Sequence, residues 1–178
     1  MDPIRIDTGK RNVLGEGKHG VVYRLEDRYA VKVHHPHVAP EVLARDYLVG
    51  LALQGRGYPV AKPFGTRPVK VLGSESVEER YATGLLTQIL PGVNIKKEVL
   101  LACKDRRLHD ELEQRVFELL IKAKDRGFGV RDEGTHNAMY DPLTGGVHLF
   151  DFASWGLIGE LLDPETGTFL NNKVIRLK

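Results

Sequence analysis

Hydrophobic and polar residues change their spacing along the first third of the chain. Two short runs, 21–23 and 29–33, are rich in β-branched and aromatic residues and are separated by the polar turn 25–28, which predicts a hairpin of strands. Between Pro40 and about Gln54, the apolar residues recur at three- and four-residue spacings instead. Since proline suits the first turn of a helix, this spacing predicts an amphipathic helix that begins at Pro40.

The middle and the end of the chain predict further strands and one long helix. Three prolines among β-branched residues between 58 and 73 favour extended or edge strands, and the apolar run from Tyr81 predicts a buried strand that ends at the Pro91-Gly92 turn. Apolar residues at helical spacing predict a second helix from about Arg107 to Arg126. Short apolar runs on both sides of the turn 142–146 predict a late hairpin.

The composition narrows the class of protein and of partner. A chain of 178 residues with 42% hydrophobic residues suffices for one domain, or for two small lobes that share a cleft. The formal net charge is only +2, so no strong field favours nucleic acid or a membrane surface as the main partner. Cys103 is the single cysteine, which excludes an intramolecular disulfide and a multi-cysteine zinc site. Because the sequence contains no apolar run long enough to span a membrane and begins without a secretion signal, the expected location is the cytosol.

One glycine-rich motif is compatible with two kinds of nucleotide-binding loop. Gly15, Gly17 and Gly20 form a G-x-G-x-x-G pattern, which occurs in dinucleotide-binding loops and in loops that cover the phosphates of a nucleoside triphosphate. A dinucleotide-binding loop opens a helix, whereas a predicted strand follows Gly20. The pattern therefore favours a loop over phosphates.

Four motifs in order make the sequence resemble the protein-kinase-like superfamily. Residues 15–22, GEGKHGVV, fit the family's G-x-G-x-x-G-x-V, and residues 30–32, AVK, fit its A-x-K strand. Residues 130–137, VRDEGTHN, resemble the catalytic loop H-R-D-x-x-x-x-N with a valine in place of the histidine. Residues 151–153, DFA, stand where the family has D-F-G, and the resemblance covers about residues 12 to 156.

The resemblance implies a kinase that uses ATP and Mg²⁺, with four polar residues at its centre. Lys32 would contact the α and β phosphates, and Asp132 would accept or orient the proton of the attacking hydroxyl group. Asn137 and Asp151 would hold the magnesium ion, which prefers hard oxygen ligands. Lys32 and Asp132 are therefore the catalytic candidates, and Asn137 and Asp151 are the metal candidates.

The same resemblance assigns further positions to the nucleotide. Lys32 would pair with an acidic residue of the following helix, and Asp46 is favoured over Glu41, which lies in the first turn where a carboxylate often only complements the helix dipole. Backbone groups between Thr87 and Leu90 would hydrogen-bond the adenine. The nucleotide-binding candidates are Gly15, Gly17, Gly20, Val22, Ala30, Lys32, Asp46, Gln88 and Leu90.

The fold class that the resemblance implies is α+β, a minimal protein-kinase-like bilobal fold. Residues 1–90 would form an N-lobe with an antiparallel sheet and one helix, and residues 91–178 a reduced, mainly helical C-lobe. Too few residues follow Asp151 for the helical subdomain on which ordinary protein kinases dock peptides. Such compaction resembles the small kinase-fold effectors that bacteria inject into host cells, which implies a protein substrate in the host cytosol. Without the docking subdomain, we expect either an activating partner or recognition by substrate mimicry.

The pattern favours a protein Ser/Thr kinase and leaves two alternatives open. A pseudokinase, meaning a nucleotide-binding module without turnover, stays open because Gly134 stands where Ser/Thr kinases carry a lysine and Ala153 where the family has a glycine. In an active kinase, either Lys18 or His136 would supply the positive charge at the γ-phosphate, or catalysis would be slow. A small-molecule kinase is favoured by the stretch PVAKP, residues 59–63, and disfavoured by the absence of a substrate-binding helical insert.

Three histidines close to the lysine strand raise the question of a metal site. His34, His35 and His37 occur in the stretch VHHPHV, but no acidic or cysteine ligand accompanies them locally. We interpret the stretch as a solvated loop.

Overall fold

The structure is a computed structural model that describes residues 2–72, 79–95 and 106–157. Cys103 lies outside these residues. Short 3₁₀ helices occur at Lys10–Asn12 and Thr135–Asn137. The strands and α-helices are β1 (Ile4–Ile6), β2 (Val13–Glu16), β3 (Gly20–Arg24), β4 (Tyr29–His34), α1 (Pro40–Gly55), β5 (Pro63–Val71), β6 (Arg80–Gln88), β7 (Val93–Asn94), α2 (Arg106–Asp125), β8 (Phe128–Gly129), β9 (Ala138–Asp141), β10 (Gly146–Leu149) and β11 (Gly156–Leu157).

Six strands form one sheet in the order β1-β5-β6-β4-β3-β2. The sheet is antiparallel as predicted, except that β1 and β5 run parallel. β5 is extended as predicted, but its last residues do not form an edge, because β1 pairs with Val69 to Val71. Pro63 and Pro68 precede this ladder, so neither has to donate a hydrogen bond to β1. The glycine motif lies on the β2–β3 hairpin, and a strand follows Gly20 as the sequence predicts.

Both helices occur where the apolar spacing predicts them. Helix α1 begins at Pro40, and α2 spans Arg106–Asp125, within one residue of the expected bounds at each end. The predicted apolar face of α2 is buried at Leu112, Val116, Leu120 and Ala123. The periodicity of 3.6 residues was therefore sufficient to identify both helices and the face of α2 that is buried.

The prediction of a buried strand from Tyr81 is only partly right. The centre of β6 is buried at Gly84 and Leu85, and a Cβ atom added to Gly84 would lie 2.5 Å from Val31 Cγ2. Tyr81, in contrast, is 71% exposed, and Lys70 Nζ lies 5.6 Å from the centre of its ring. The strand is long enough to extend beyond the core that covers its centre.

Two hydrophobic clusters stabilise the described residues. The smaller one lies on the six-stranded sheet and consists of Ile6, Tyr23, Val31, Val33, Val69 and Val71. The larger one joins the inner face of α1, through Val49, Ala52 and Leu53, to α2 and to residues near the end of the described chain, including Phe152 and Trp155. Burial of a side chain such as Leu53, which is fully buried, contributes about 1.5 to 3 kcal/mol. Helix α1 is therefore fixed against residues from both halves of the chain.

The second half of the described chain combines α2 with two small sheets. Strands β9 and β10 form the predicted hairpin, and β7 pairs with the other side of β9. Strand β11 pairs with β8, so the segment after Asp151 returns to the residues that precede Asp132. The lobe boundary at Pro91-Gly92 stays a prediction. None of the helices in the described residues is long and apolar enough to cross a membrane.

Candidate active site

Lys32 reaches the candidate site because of its place in β4. Its neighbours Val31 and Val33 are buried in the sheet cluster, and side chains alternate between the two faces of a strand, so Lys32 projects from the opposite face. Its Nζ atom lies 2.7 Å from Asp46 Oδ2 and 2.6 Å from Asp151 Oδ1. These residues are 14 and 119 positions away along the sequence, so the fold, rather than local structure, brings the three charges together.

Asp46 holds the helix and the segment at Phe152 together through both of its oxygens. While Oδ2 accepts a hydrogen bond from Lys32, Oδ1 accepts one from the backbone N–H of Phe152 at 2.9 Å. Asp46 is only 4% exposed, whereas Glu41, the other acidic candidate, is exposed in the first turn of α1. Between the two acids, Asp46 is therefore the one that contacts Lys32.

Burial and charge act in opposite directions on this triad. Burial alone lowers the pKa of Lys32, but the carboxylates of Asp46 and Asp151 more than compensate and raise that pKa above its ordinary value. Burial raises the pKa of Asp46, and the nearby ammonium group opposes this effect. Lys32 therefore stays positively charged across the physiological pH range. Its charge offsets the energetic cost of burying the Asp46 carboxylate.

Asp132, His136 and Asn137 form a second group at the end of β8. Asn137 Nδ2 donates to Asp132 Oδ2 at 3.3 Å, and His136 Nε2 lies 3.0 Å from Asp132 Oδ1. The carbonyl oxygen of Asn137 accepts a hydrogen bond from the backbone N–H of Phe150 at 3.0 Å, directly before Asp151. A chain of contacts therefore connects Asp132 through Asn137 to the segment that carries Asp151 and so to Lys32.

The two aspartates that follow strands share an unusual backbone conformation. Asp132 has a φ of 59° and Asp151 a φ of 60°, and they are the only non-glycine residues with positive φ in the described ranges. Aspartate tolerates the left-handed region better than most residues, yet the conformation costs about 1 kcal/mol or more. Such strain persists where surrounding contacts fix the backbone, and both residues belong to the candidate site.

The three glycines of the motif differ in their surroundings. A Cβ atom on Gly20 would lie 2.3 Å from the carbonyl oxygen of Val33, so β3 and β4 can approach each other only with glycine at this position. Gly15 and Gly17 have no atom within 4 Å of an added Cβ atom and border open space. The N–H of Gly17 donates to the Gly20 carbonyl at 3.0 Å and closes the turn. Gly20 is thus required by the fold, and Gly15 and Gly17 are free to face a ligand.

The candidate adenine-contacting residues lie at the end of β6 and on the strands beside it. Ala30 is buried and pairs with Thr87, while Val22 on β3 pairs with Lys32. The N–H groups of Gln88 and Ile89 already donate to the carbonyl oxygens of Lys62 and Arg28, at 2.9 and 3.0 Å. These two N–H groups are therefore engaged, and the backbone of Leu90 stays the candidate contact for a base at this edge.

The solvated loop predicted for the histidines is correct for His37 and wrong for His34. His37 is exposed, but His34 belongs to β4, is only 8% exposed, and has two ring nitrogens without a partner in the described residues. Burial and the nearby positive charge of Lys32 lower the pKa of His34 to about 4. His35 is bound to the glycine loop: its Nε2 lies 3.1 Å from the Gly17 carbonyl oxygen, and its N–H donates to the His19 carbonyl oxygen at 3.0 Å.

None of these histidines belongs to a metal-ligand cluster in the described residues. The one group of histidine and acidic side chains there that lies close enough to share an ion is His109, Asp110 and Glu113 on α2. Two of its three members are exposed, and exposed acidic groups are common without a bound metal. We assign no role to this group.

Two other concave surfaces of the described residues are separate from the candidate site. One, of about 330 Å³, lies between α2 and β10, and the other, of about 300 Å³, lies beside the start of α1. Neither is lined by Lys32, Asp132 or Asp151. They do not define the reaction centre.

Sequence reasoning missed four contacts of the site, two of which are those of Asp151 with Lys32 and of Asn137 with Asp132. The hydrogen bond from Phe152 to Asp46 uses a backbone group, so no residue type could have indicated it. The contact of His136 with Asp132 was weakly indicated by a histidine four positions after the aspartate. From the sequence, this histidine was considered only as a source of positive charge. The remaining candidates lie on the elements where the motifs predicted them, and their roles stay predictions.

Comparison with known proteins supports the fold and leaves the activity open. No family model matches the sequence, and no curated protein matches it. Among solved structures, the chain is similar to the bifunctional kinase-methyltransferase WbdD, with 17% sequence identity and a TM-score of 0.52. The match covers 78% of this chain and only 30% of that one. At this identity the similarity shows the α+β, kinase-like bilobal fold alone.

Proposed function

We propose that this protein is an ATP- and Mg²⁺-dependent phosphotransferase that acts on Ser or Thr hydroxyl groups of a protein. The observation that carries the proposal is the contact of the buried Lys32 with both Asp46 and Asp151 on a kinase-like fold. In this arrangement, the ammonium group of Lys32 is held between α1 and the segment that follows β10, beside the glycine-rich hairpin. A cation that is fixed in this way suits a site that positions phosphates.

Lys32 would position the α and β phosphates of the nucleotide. Asp46 fixes the ammonium group from the side of α1, so the cation would not have to be reorganised when the phosphates arrive. Gly15 and Gly17 border open space, which allows backbone N–H groups of the hairpin to approach the phosphate oxygens.

Asn137 and Asp151 would hold the magnesium ion. Both offer hard oxygen ligands, and the hydrogen bond from Asn137 Nδ2 to Asp132 leaves the side-chain oxygen of Asn137 for a cation. Asp151 is one-third exposed and contacts Lys32 through Oδ1. When bound, the ion would neutralise negative charge on the β and γ phosphates.

Asp132 would accept or orient the proton of the attacking hydroxyl group. Its side chain is half-exposed, as required for a group that meets a second substrate. Its backbone has a φ of 59°, and His136 and Asn137 restrain its carboxylate from two sides. A fixed carboxylate close to the acceptor contributes both proton transfer and orientation.

The proposal extends to the acceptor and the setting. The acceptor would be a protein of a host cell, the chain would act as a bacterial effector in the cytosol of that cell, and an activating partner would assist it. These points rest on the resemblance of the motifs and are tested by identifying the labelled protein.

One observation favours a second candidate function, a nucleotide-binding module without turnover. Gly134 provides no cation two positions after Asp132, and Ala153 replaces the glycine of the usual motif. Without a positive charge close to the γ-phosphate, ATP would bind but transfer would be slow.

The test is transfer of the labelled γ-phosphoryl group from ATP in the presence of Mg²⁺ and a cell lysate. The wild-type protein is compared with Asp132→Ala, and with Asp27→Ala as a matched control, since Asp27 is an exposed aspartate of the β3–β4 turn. We expect a discrete labelled lysate protein with the wild type and with Asp27→Ala, and none with Asp132→Ala. Phosphoamino-acid analysis of the product should give phosphoserine or phosphothreonine.

Other outcomes separate the candidate functions. ATP consumption that depends on Asp132 but labels a small molecule would reject the protein acceptor. Nucleotide binding without transfer by any variant would favour the module without turnover, and equal labelling by wild type and Asp132→Ala would exclude the assigned base.

A further inference from the structure

His136 is fixed against Asp132 by contacts on both its ring and its backbone. Its Nε2 lies 3.0 Å from Asp132 Oδ1, and a carboxylate oxygen only accepts, so Nε2 carries the proton. The backbone carbonyl of His136 accepts a hydrogen bond from Asn94 Nδ2 at 2.7 Å, and the 3₁₀ turn that contains it is closed by the N–H of Asn137 on the Gly134 carbonyl at 3.2 Å. The imidazole is thus oriented by a strand on one side and by its own turn on the other.

The imidazole of His136 also occupies the space into which a side chain at position 134 would extend. A Cβ atom on Gly134 would lie 2.1 Å from His136 Nδ1 and 2.2 Å from its Cε1, so no residue with a side chain fits there while the ring stays in place. Position 134 is the one at which the motif lacks a lysine. The His136 ring can therefore adopt this position because residue 134 is a glycine.

The acidic neighbour of Asp132 is already engaged. Glu133, its direct neighbour, pairs with Lys124 of α2 at 2.6 Å. Asn137 reaches Asp132 at 3.3 Å, which is long for a hydrogen bond to a carboxylate. The contact with His136 is hence the shorter of the two that are described for the Asp132 side chain.

We propose that His136 is a positioning residue for phosphoryl transfer, which acts by holding Asp132 Oδ1 and so fixes the orientation of the carboxylate towards the acceptor hydroxyl group. Gly134 makes room for it. This inference rests on the proposed function, because it assigns a role at the same site. A carboxylate that is free to rotate loses the orientation on which transfer depends, and a misplacement of about 1 Å costs on the order of 10²-fold in rate.

The first test uses two replacements of similar size that differ in one property. His136→Gln keeps an N–H donor near the position of Nε2, and His136→Met has none. We expect His136→Met to lower kcat about 10- to 100-fold with KM for ATP changed less than about twofold, and His136→Gln to restore most of kcat. Equal kcat values for the two variants would overturn the inference, since a purely structural role depends on size and not on the donor.

A second variant moves the ring without removing it. Gly134→Ala places a methyl group where the imidazole lies, so it should lower kcat as His136→Met does. Because both changes break the same contact, the double variant should be no slower than the slower single variant. Additive losses would mean that Gly134 and His136 act independently and would contradict the inference.

A third measurement separates failure of this inference from failure of the proposed function. Nitrogen-15 NMR of the histidine rings in mildly alkaline buffer reports which ring nitrogen carries the proton, whether or not the protein turns over ATP. We expect His136 to be protonated at Nε2 in the wild type and to lose this preference in Asp132→Ala. If the preference is absent, the inference fails even when transfer is observed. If it is present but the wild type transfers no phosphoryl group to any acceptor, the proposed function fails and the contact only stabilises the loop.

Discussion

At the scale of single residues, the charged groups of the site are arranged around one buried cation, Lys32. Lys32 lies between Asp46 and Asp151, and the side chains of Lys32 and Asp46 are at most one-tenth exposed. A buried ion pair gains little over apolar residues of the same volume, but removal of one partner leaves an uncompensated charge. The residue proposed to position phosphates is therefore also a residue on which stability depends.

Replacement of Lys32 should consequently lower stability as well as activity. We expect Lys32→Met to lower the free energy of unfolding by about 3 to 5 kcal/mol, because Asp46 then stays buried without its cation. The double variant Lys32→Met/Asp46→Leu should recover a large part of that loss while remaining inactive. Urea denaturation of both variants measures this, and a double variant that is less stable than Lys32→Met would refute the explanation.

The low pKa of His34 predicts a loss of stability in mild acid. Its pKa is about 4 in the folded protein, because burial and then the positive charge of Lys32 oppose protonation, with His19, His35 and Asp151 also near enough to act on it. The unfolded chain protonates this histidine near pH 6.5, so it binds more protons than the folded state between about pH 6.5 and 4. Stability should therefore fall as the pH falls through this window, by about 3 kcal/mol in total for this residue.

The variant His34→Leu isolates this effect from the other histidines. Both ring nitrogens of His34 lack a partner in the described residues, so leucine sacrifices no described hydrogen bond there. Urea denaturation between pH 4 and 7.5 should give a smaller decrease for the variant than for the wild type. Parallel curves for the two proteins would show that His34 does not contribute to the pH dependence.

At the scale of elements, the glycine-rich hairpin combines positions that serve the fold with positions available to a ligand. Gly20 lies against the backbone of β4, whereas Gly15 and Gly17 border open space. The hairpin is further attached to the segment after β4 by two contacts of His35. The three glycines of the motif are therefore expected to respond differently to substitution.

Alanine at these three positions should separate folding from nucleotide binding. Gly20→Ala should lower the free energy of unfolding by about 1 to 3 kcal/mol, since β3 must move away from Val33. Gly15→Ala and Gly17→Ala should change it by no more than about 0.5 kcal/mol while raising KM for ATP several-fold. Denaturation and steady-state kinetics on the three variants provide the comparison. An unchanged KM in both Gly15→Ala and Gly17→Ala would argue against phosphates beneath the hairpin.

At the scale of the whole molecule, helix α1 connects the larger hydrophobic cluster to the site. Its inner face packs in the larger cluster, and Asp46 on the same helix contacts Lys32 from the sheet and Phe152 from the end of the described chain. A shift of α1 would disturb all three contacts at once. The geometry of the site is thus a property of the packing of α1 and not of any single loop.

The sequence could predict much of this arrangement, and the omissions have physical causes. Both helices and the hairpins followed from periodicity and turns, and the spacing of the motifs indicated Lys32, Asp132, Asn137 and Asp151. Strand β1 was missed because three residues carry no periodic signal, and its parallel pairing with β5 depends on contacts 65 positions apart, as between Ile4 and Val69. The burial of His34 was missed because a polar side chain next to a proline and further histidines is typical of a loop.

Nucleotide and magnesium together should stabilise the whole molecule, because the proposed ligands come from both halves of the chain. Binding to the folded state alone adds about 2.7 kcal/mol to the free energy of unfolding at a ligand concentration one hundred times Kd. We expect ATP with Mg²⁺ to raise Tm more than ATP with a chelator, and Asp151→Asn to abolish the difference between these two conditions. That difference is the decisive quantity, since Asp151→Asn also weakens the contact with Lys32 and changes the starting Tm. Asp27→Asn, at an exposed turn, should retain the full magnesium effect. A magnesium effect of the same size in Asp151→Asn would place the ion on other residues and would remove Asp151 from the metal site.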